Sequence, residues 1–167
     1  MSASASADTA AQVMPSLRNA ALRLLDAIEH ATVATVSSGG EPWNTPVYFA
    51  RHGRAFFWIS RADAQHSINI RANGRVFIAI YDSSREDTSA AAVYIDADAH
   101  ELTDEPSITA ALTRIFQRRQ KPVPAVTSVR PPSSQRAYVA VARKAWTNVV
   151  HTNEGNSWDE RVDLALE

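Results

Sequence analysis

The residues with the clearest chemical potential lie between Pro42 and Asn73, in the segment PWNTPVYFARHGRAFFWISRADAQHSINIRAN. Within it Asp63 suits a helix N-cap, with Ala64, Gln65 and His66 as the first turn behind it. A helix start carries backbone N–H groups without partners and the positive end of the helix dipole, so it can hold an anion such as a phosphate. Gln65 and His66 add two side-chain donors to that turn. A helix start binds water just as readily, and no glycine-rich phosphate loop accompanies this one, so the chemistry is of a general kind.

The flanking elements must position that turn. Residues 46–51 and 55–60 are rich in aromatic and β-branched side chains and bracket His52-Gly53-Arg54, which predicts a hairpin. Trp58 and the pair Phe57/Ile59 must point to opposite faces of the second strand. Before the hairpin, Leu17, Ala21, Leu24, Leu25 and Ile28 fall at helical spacing after Pro15-Ser16 and predict an amphipathic helix that plugs one end of a barrel. A strand over 32–37 follows, closed by Ser38-Gly39-Gly40. After the candidate turn come a nearly continuous apolar strand at 76–81, a polar loop at 82–89 and a cleanly alternating strand at 92–102. Thr103 or Asp104 opens a helix striped by Ile108, Leu112, Ile115 and Phe116 that ends near Gln120. A long loop at 121–134 with four prolines leads to a strand at 138–146, and the tail 148–167 holds a short strand at 162–164.

With 167 residues the chain is one domain, read as a disordered Ala/Ser-rich tail at 1–14 and a single domain at 15–167. About six or seven strands with three helices predict an α+β, mainly β fold, an antiparallel barrel closed or nearly so. There is no cysteine, which excludes disulfides and thiolate chemistry. A net charge of −1 gives no electrostatic case for nucleic acid or a membrane surface. No apolar run approaches the ~20 residues needed to cross a bilayer, and the N-terminus lacks the pattern of a secretory signal. The chain reads as soluble and cytoplasmic.

No acid/base dyad, nucleophile elbow or metal-ligand spacing appears among the five histidines, so no catalytic residue and no metal ligand is assigned. His30 is expected to finish the first helix as a donor to its free carbonyls, His52 to lie in a turn, and His151 to lie on the surface. Asp96, Asp98 and His100 share one strand face, which reads as a solvated face rather than a metal site.

The segment resembles the flavin-binding split-barrel family, whose best-known member is pyridoxamine 5′-phosphate oxidase. The resemblance rests on the hairpin, on the helix start behind it and on Asn73-Gly74-Arg75-Val76, which stands where the family has Asn-Pro-Arg-Val. It extends more weakly from about Leu17 to Leu164. It implies an antiparallel FMN-binding split β-barrel, with Asn44, Thr45, Pro46 and Val47 at the flavin edge on the first strand and Ile59 and Ser60 at the end of the second. Gln65 and His66 then stand where the family places an Arg-Lys pair on the FMN phosphate. Trp146 and Arg161 follow the order, with a wider gap, of a Trp and an Arg that reach the flavin of the other subunit. A homodimer is implied, as is a small-molecule substrate or electron donor. No counterpart of the residues that recognise pyridoxal phosphate is present, so the vitamin B6 reaction is not expected. The alternatives are an F420-dependent reductase on the same fold, with Arg51, Arg54, Arg61 and Arg71 as candidates for its acidic tail, and a flavin- or haem-binding protein without turnover, with His100 or His151 as the haem ligand. A flavin carries electrons or hydride itself, so an enzyme of this kind needs no visible acid/base pair.

Overall fold

The computed structural model describes residues 4–84 and 90–166, with helical backbone alone over 4–14. The first helix, α1 (Ser4–Ala27), therefore starts well ahead of the expected Leu17 and carries Pro15 inside it. Of the expected tail at 1–14, residues 1–3 lie outside the described residues, and from Ser4 the backbone follows the high helix propensity of its alanines. The predicted stripe is in place: Leu17, Ala21, Leu24 and Leu25 are buried and join the barrel core, with Ile28 packed against it.

The strands are β1 (His30–Val36), β2 (Pro42–Tyr48), β3 (Ala50–His52), β4 (Ala55–Arg61), β5 (Arg75–Tyr81), β6 (Ala92–Glu101), β7 (Gln135–Asn153) and β8 (Asn156–Asp163). They form one 8-stranded antiparallel sheet in the order β2-β1-β5-β6-β7-β4-β3, with β8 on β7. The two remaining helices are α2 (Gln65–Ala72) and α3 (Glu105–Arg118), and a single 3-10 turn spans Val126–Val129. The curled sheet brings β2 back against β4, so the barrel has one seam without hydrogen-bonded strands. Of the predicted loop at 82–89, residues 85–89 lie outside the described residues.

The predicted hairpin is half right. Only Ala50, Arg51 and His52 pair with β4, whereas residues 46–48 belong to β2 and pair with β1, Val47 opposite Ala31. The chain changes partner at Phe49, whose buried ring lies 5.9 Å from that of Phe56. A continuous β-rich run cannot reveal such a switch, because both halves fit a pleated, half-buried surface. The tail is also more ordered than expected. β7 continues to Asn153 and turns through Glu154 and Gly155, at φ 49° and 82°, into β8. Residues 156–161 are exposed, so no hydrophobic alternation announces this ribbon.

Inside the barrel, Val33, Phe56, Trp58, Ile78, Ile80, Ile95 and Tyr138 are almost fully buried. Trp58 stacks on Tyr138 at 5.6 Å, which settles the alternation of β4: Phe57 and Ile59 face outward. There they meet a second core built on Ile108, Ala111 and Leu112 of α3. Asp104 caps α3 by accepting from the Ser107 N–H at 2.9 Å, and that bond holds its carboxyl below the usual range. Gly74 crosses so close to β6 that a Cβ there would stand 2.7 Å from the Ala99 carbonyl oxygen. The Asn73-Gly74-Arg75 turn needs a residue without one.

His30 does not finish α1. It opens β1 and meets the Tyr48 ring edge-on at 5.6 Å. The free carbonyls are taken by Arg118 of α3, whose Nη2 donates to the oxygens of Leu25 (3.1 Å), Asp26 (3.0 Å) and Ile28 (2.6 Å). Its guanidinium also lies 4.6 Å over the Phe49 ring. One cation thus ties together α1, α3 and the point where β2 gives way to β3. Arg118→Ala should lower stability by about 1.5–3 kcal/mol, since bonds to a charged donor are lost, two of them partly buried. Lysine should recover little of it, lacking the planar fork. A thermal melt of Arg118→Ala with its midpoint unchanged would contradict this role.

Candidate functional site

The candidate turn lies between the end of β4 and the start of α2. Asp63 does not cap the helix as expected, because Arg61 holds its carboxylate through Nε at 2.8 Å and Nη2 at 2.6 Å. That guanidinium holds the Asp63 carboxyl below its usual range. The N-cap position falls to Ala64, which has no side-chain acceptor to offer. The amides of Gln65, His66 and Ser67 in the first turn therefore lack a side-chain cap.

The two candidate donors are both engaged within the protein, Gln65 from an exposed position and His66 from a buried one. Gln65 donates through Nε2 to Asn69 Oδ1 at 2.8 Å, Asn69 donates to Thr35 Oγ1 at 2.9 Å, and Thr35 donates to the Trp43 carbonyl at 3.4 Å. Asn69 and Thr35 are buried, so this relay fastens α2 to β1 and β2 from within. His66 is 5% exposed and its Nε2 lies 2.8 Å from Ser60 Oγ, which fastens α2 to β4. Burial pushes the His66 imidazole below its ordinary value, so the ring is neutral at pH 7 and not the imidazolium that would replace a fixed cation.

On β2 the side chains divide by face. Val47 enters the core, while Asn44 and Pro46 are exposed. Thr45 Oγ1 accepts from the exposed Trp43 Nε1 at 2.9 Å. The strand is an edge strand bonded only to β1, so its other side offers backbone donors and acceptors, and Pro46 is tolerated for the same reason. Ile59 packs under α3. Ser60, Gln65, His66 and the β2 residues are thus gathered around the seam of the barrel.

Trp146 and Arg161 form a separate group on the outer face of the sheet. Trp146 stacks with Phe77 at 6.4 Å, and the Arg161 guanidinium lies 4.0 Å over Tyr94 and 5.7 Å from Phe77. No hydrogen bond, ion pair or ring contact joins this group to the seam among the described residues. Phe77 and Tyr94 could have been found from the alternation of β5 and β6, whereas the Asn69–Thr35 bond spans too much chain to be read locally.

Asp96 and Asp98 are solvated as expected, and both are paired. Arg75 reaches Asp96 at 2.7 Å and Asp98 at 3.5 Å, while Arg143 reaches them at 3.9 and 3.4 Å. Among the described residues no group of His, Cys, Asp and Glu could hold a metal ion. His151 bonds Glu160 at 3.0 Å and stacks on Trp158. Among the described residues no helix is long and apolar enough to cross a membrane.

The sequence model of the family described as pyridoxamine 5′-phosphate oxidase matches residues 17–149. No curated protein matches the chain. Among solved structures, a conserved hypothetical protein from Mycobacterium tuberculosis is similar at TM-score 0.61 and 19% identity, covering 82% of this chain and 81% of that one. A protein described as F420 reductase is similar at TM-score 0.55 and 19% identity, over 74% of this chain and 93% of that one. HutZ, a haem storage protein from Vibrio cholerae, is similar at TM-score 0.62 and 14% identity, over 75% and 89%. At such identities the likeness shows the fold, an α+β split barrel.

The burial of His66 has a pH consequence. Its folded pKa lies below the unfolded value of 6.5, so the unfolded chain takes up the proton first as pH falls. The stability that neutral His66 contributes is complete above about 6.5 and declines below it, by at most about 1.4 kcal/mol per pH unit. Chemical denaturation between pH 7 and 5 should show this decline in the wild type and a shallower one in His66→Gln. Parallel pH profiles for the two proteins would contradict the assignment.

Proposed function

Because the chain belongs to the pyridoxamine 5′-phosphate oxidase family, we propose that it binds FMN at the barrel seam and acts as an oxidoreductase on a small molecule other than a B6 vitamer. The observation that carries this reading is the uncapped start of α2. Three first-turn amides and the helix dipole follow closely on Ser60 at the end of β4, a donor set that fits a phosphate monoester without a dedicated cation. Bound FMN would supply the hydride or electron transfer. The chain's own residues bind and orient. The α2 amides hold the phosphate, His66 keeps Ser60 in place beside them, and the free edge of β2 at Asn44, Thr45 and Pro46 meets the polar edge of the ring through its backbone.

The Trp146–Phe77–Tyr94–Arg161 group is the face that a second copy would bring to this groove, so the working unit is a homodimer and the protein a cytoplasmic one. F420 is the weaker alternative. Its acidic tail needs available cations, yet Arg54 is bonded to the Ala142 and Arg143 carbonyls, Arg61 to Asp63, and Arg71 lies 4.0 Å from Glu101. For haem without turnover, one candidate ligand, His151, engages Glu160, while the other, His100, stands exposed on β6.

The absorbance spectrum of the purified protein reconstituted with FMN, F420 or haem separates the three. The site itself is tested by Ala64→Asp, which places a capping carboxylate where the phosphate would lie. FMN affinity should fall about tenfold or more, since charge-assisted bonds to phosphate are displaced by a repelling charge. Riboflavin, which lacks the phosphate, should bind both proteins alike. Equal FMN affinity for wild type and Ala64→Asp would refute the placement.

A further inference from the structure

Where the end of α1, β3 and the last turns of α3 meet, a cavity of about 300 Å³ is lined by Asp26, Ala50, Arg51, Arg114, Gln117 and Arg118. None of the seam residues belongs to it. Arg114 and Arg118 stand four residues apart on one face of α3. Arg118 is fixed by the carbonyls at the end of α1 through Nη2, and its Nη1 and Nε make no hydrogen bond among the described residues. Arg51 is 15% exposed in its side chain, donates to the Gly53 carbonyl at 3.1 Å and lies 3.8 Å from Asp26. Arg114 and Gln117 make no side-chain hydrogen bond or ion pair among the described residues.

Three guanidinium groups thus converge against a single carboxylate, in a chain whose net charge is −1. Two of the three are already immobilised by backbone contacts, so little further order is lost on binding. Arginine forks match the paired oxygens of phosphates and carboxylates, and the carboxamide of Gln117 adds a neutral donor. We propose that this cavity is a second, flavin-independent binding site for a small oxyanion, a phosphate ester or a carboxylate, gripped by Arg51, Arg114 and Arg118. Asp26, largely exposed and 3.8 Å from Arg51, is the carboxylate that a bound anion would displace from Arg51.

Calorimetric titration of the full chain with inorganic phosphate and with citrate, each at ionic strength matched with potassium chloride, tests this. Saturable binding is expected for at least one of them, and which one binds assigns the phosphate or the carboxylate class. Arg114→Gln should weaken it by about ten- to a hundredfold while melting like the wild type, because Arg114 has no structural partner. Gln117→Glu, which sets a second carboxylate in the cavity, should abolish it. Ala64→Asp should leave it intact, which separates this site from the start of α2. No saturable heat with either anion, or binding unchanged in Arg114→Gln and Gln117→Glu, would overturn the proposal.

Discussion

The bidentate grip of Arg61 on Asp63 sets the character of the seam. Without it Asp63 would be free to accept from the α2 amides, the commonest way for a helix to close its own start. Arg61 draws the carboxylate away, and the next residue, Ala64, has nothing to offer. The amides stay open while the helix is held by other means: Gln65 through Asn69 to Thr35 on one side, and His66 to Ser60 on the other. Polar bonds within the barrel wall thus support an undercapped helix, and a strained or open feature supported from elsewhere is where function is to be sought.

The same arrangement engages both side chains of the first turn with partners inside the protein. Turning His66 inward keeps it neutral, and a neutral ring donates through one nitrogen only. Positive character at the seam then comes from the helix dipole, since Arg61 is neutralised by Asp63, and this is weaker than a pair of fixed cations. The barrel seam completes the setting. β2 and β4 approach each other without pairing, so β2 keeps an unpaired backbone edge on the side of the seam.

Most of the fold was legible because its elements carry strong periodic signals. The stripe of α1, the alternation of β6 and the Asp104 cap of α3 each depend on neighbouring residues alone. What escaped was decided by contacts distant in sequence or by local competition that residue types do not rank. The partner switch at Phe49 depends on β1 and on α3 through Arg118. Cap identity at α2 hinged on the competition between Arg61 and the helix for one carboxylate, which residue types do not rank. The β7–β8 ribbon hides because it buries no face, leaving only the turn at Glu154-Gly155 as a signal. At the site, the residues named from family resemblance lie in two groups, and what they do individually differs from what their types suggest: Val47 and Ile59 are core residues, and Gln65 braces Asn69.

Where the phosphate of FMN lies decides whether the start of α2 is a binding site. Backbone amide chemical shifts, followed while FMN and then riboflavin are titrated into the protein, address this directly. Large shifts at Gln65, His66 and Ser67 with FMN, and small ones at these amides with riboflavin, are the expected result. Shifts confined to other regions, or identical at these three amides for both ligands, would contradict it.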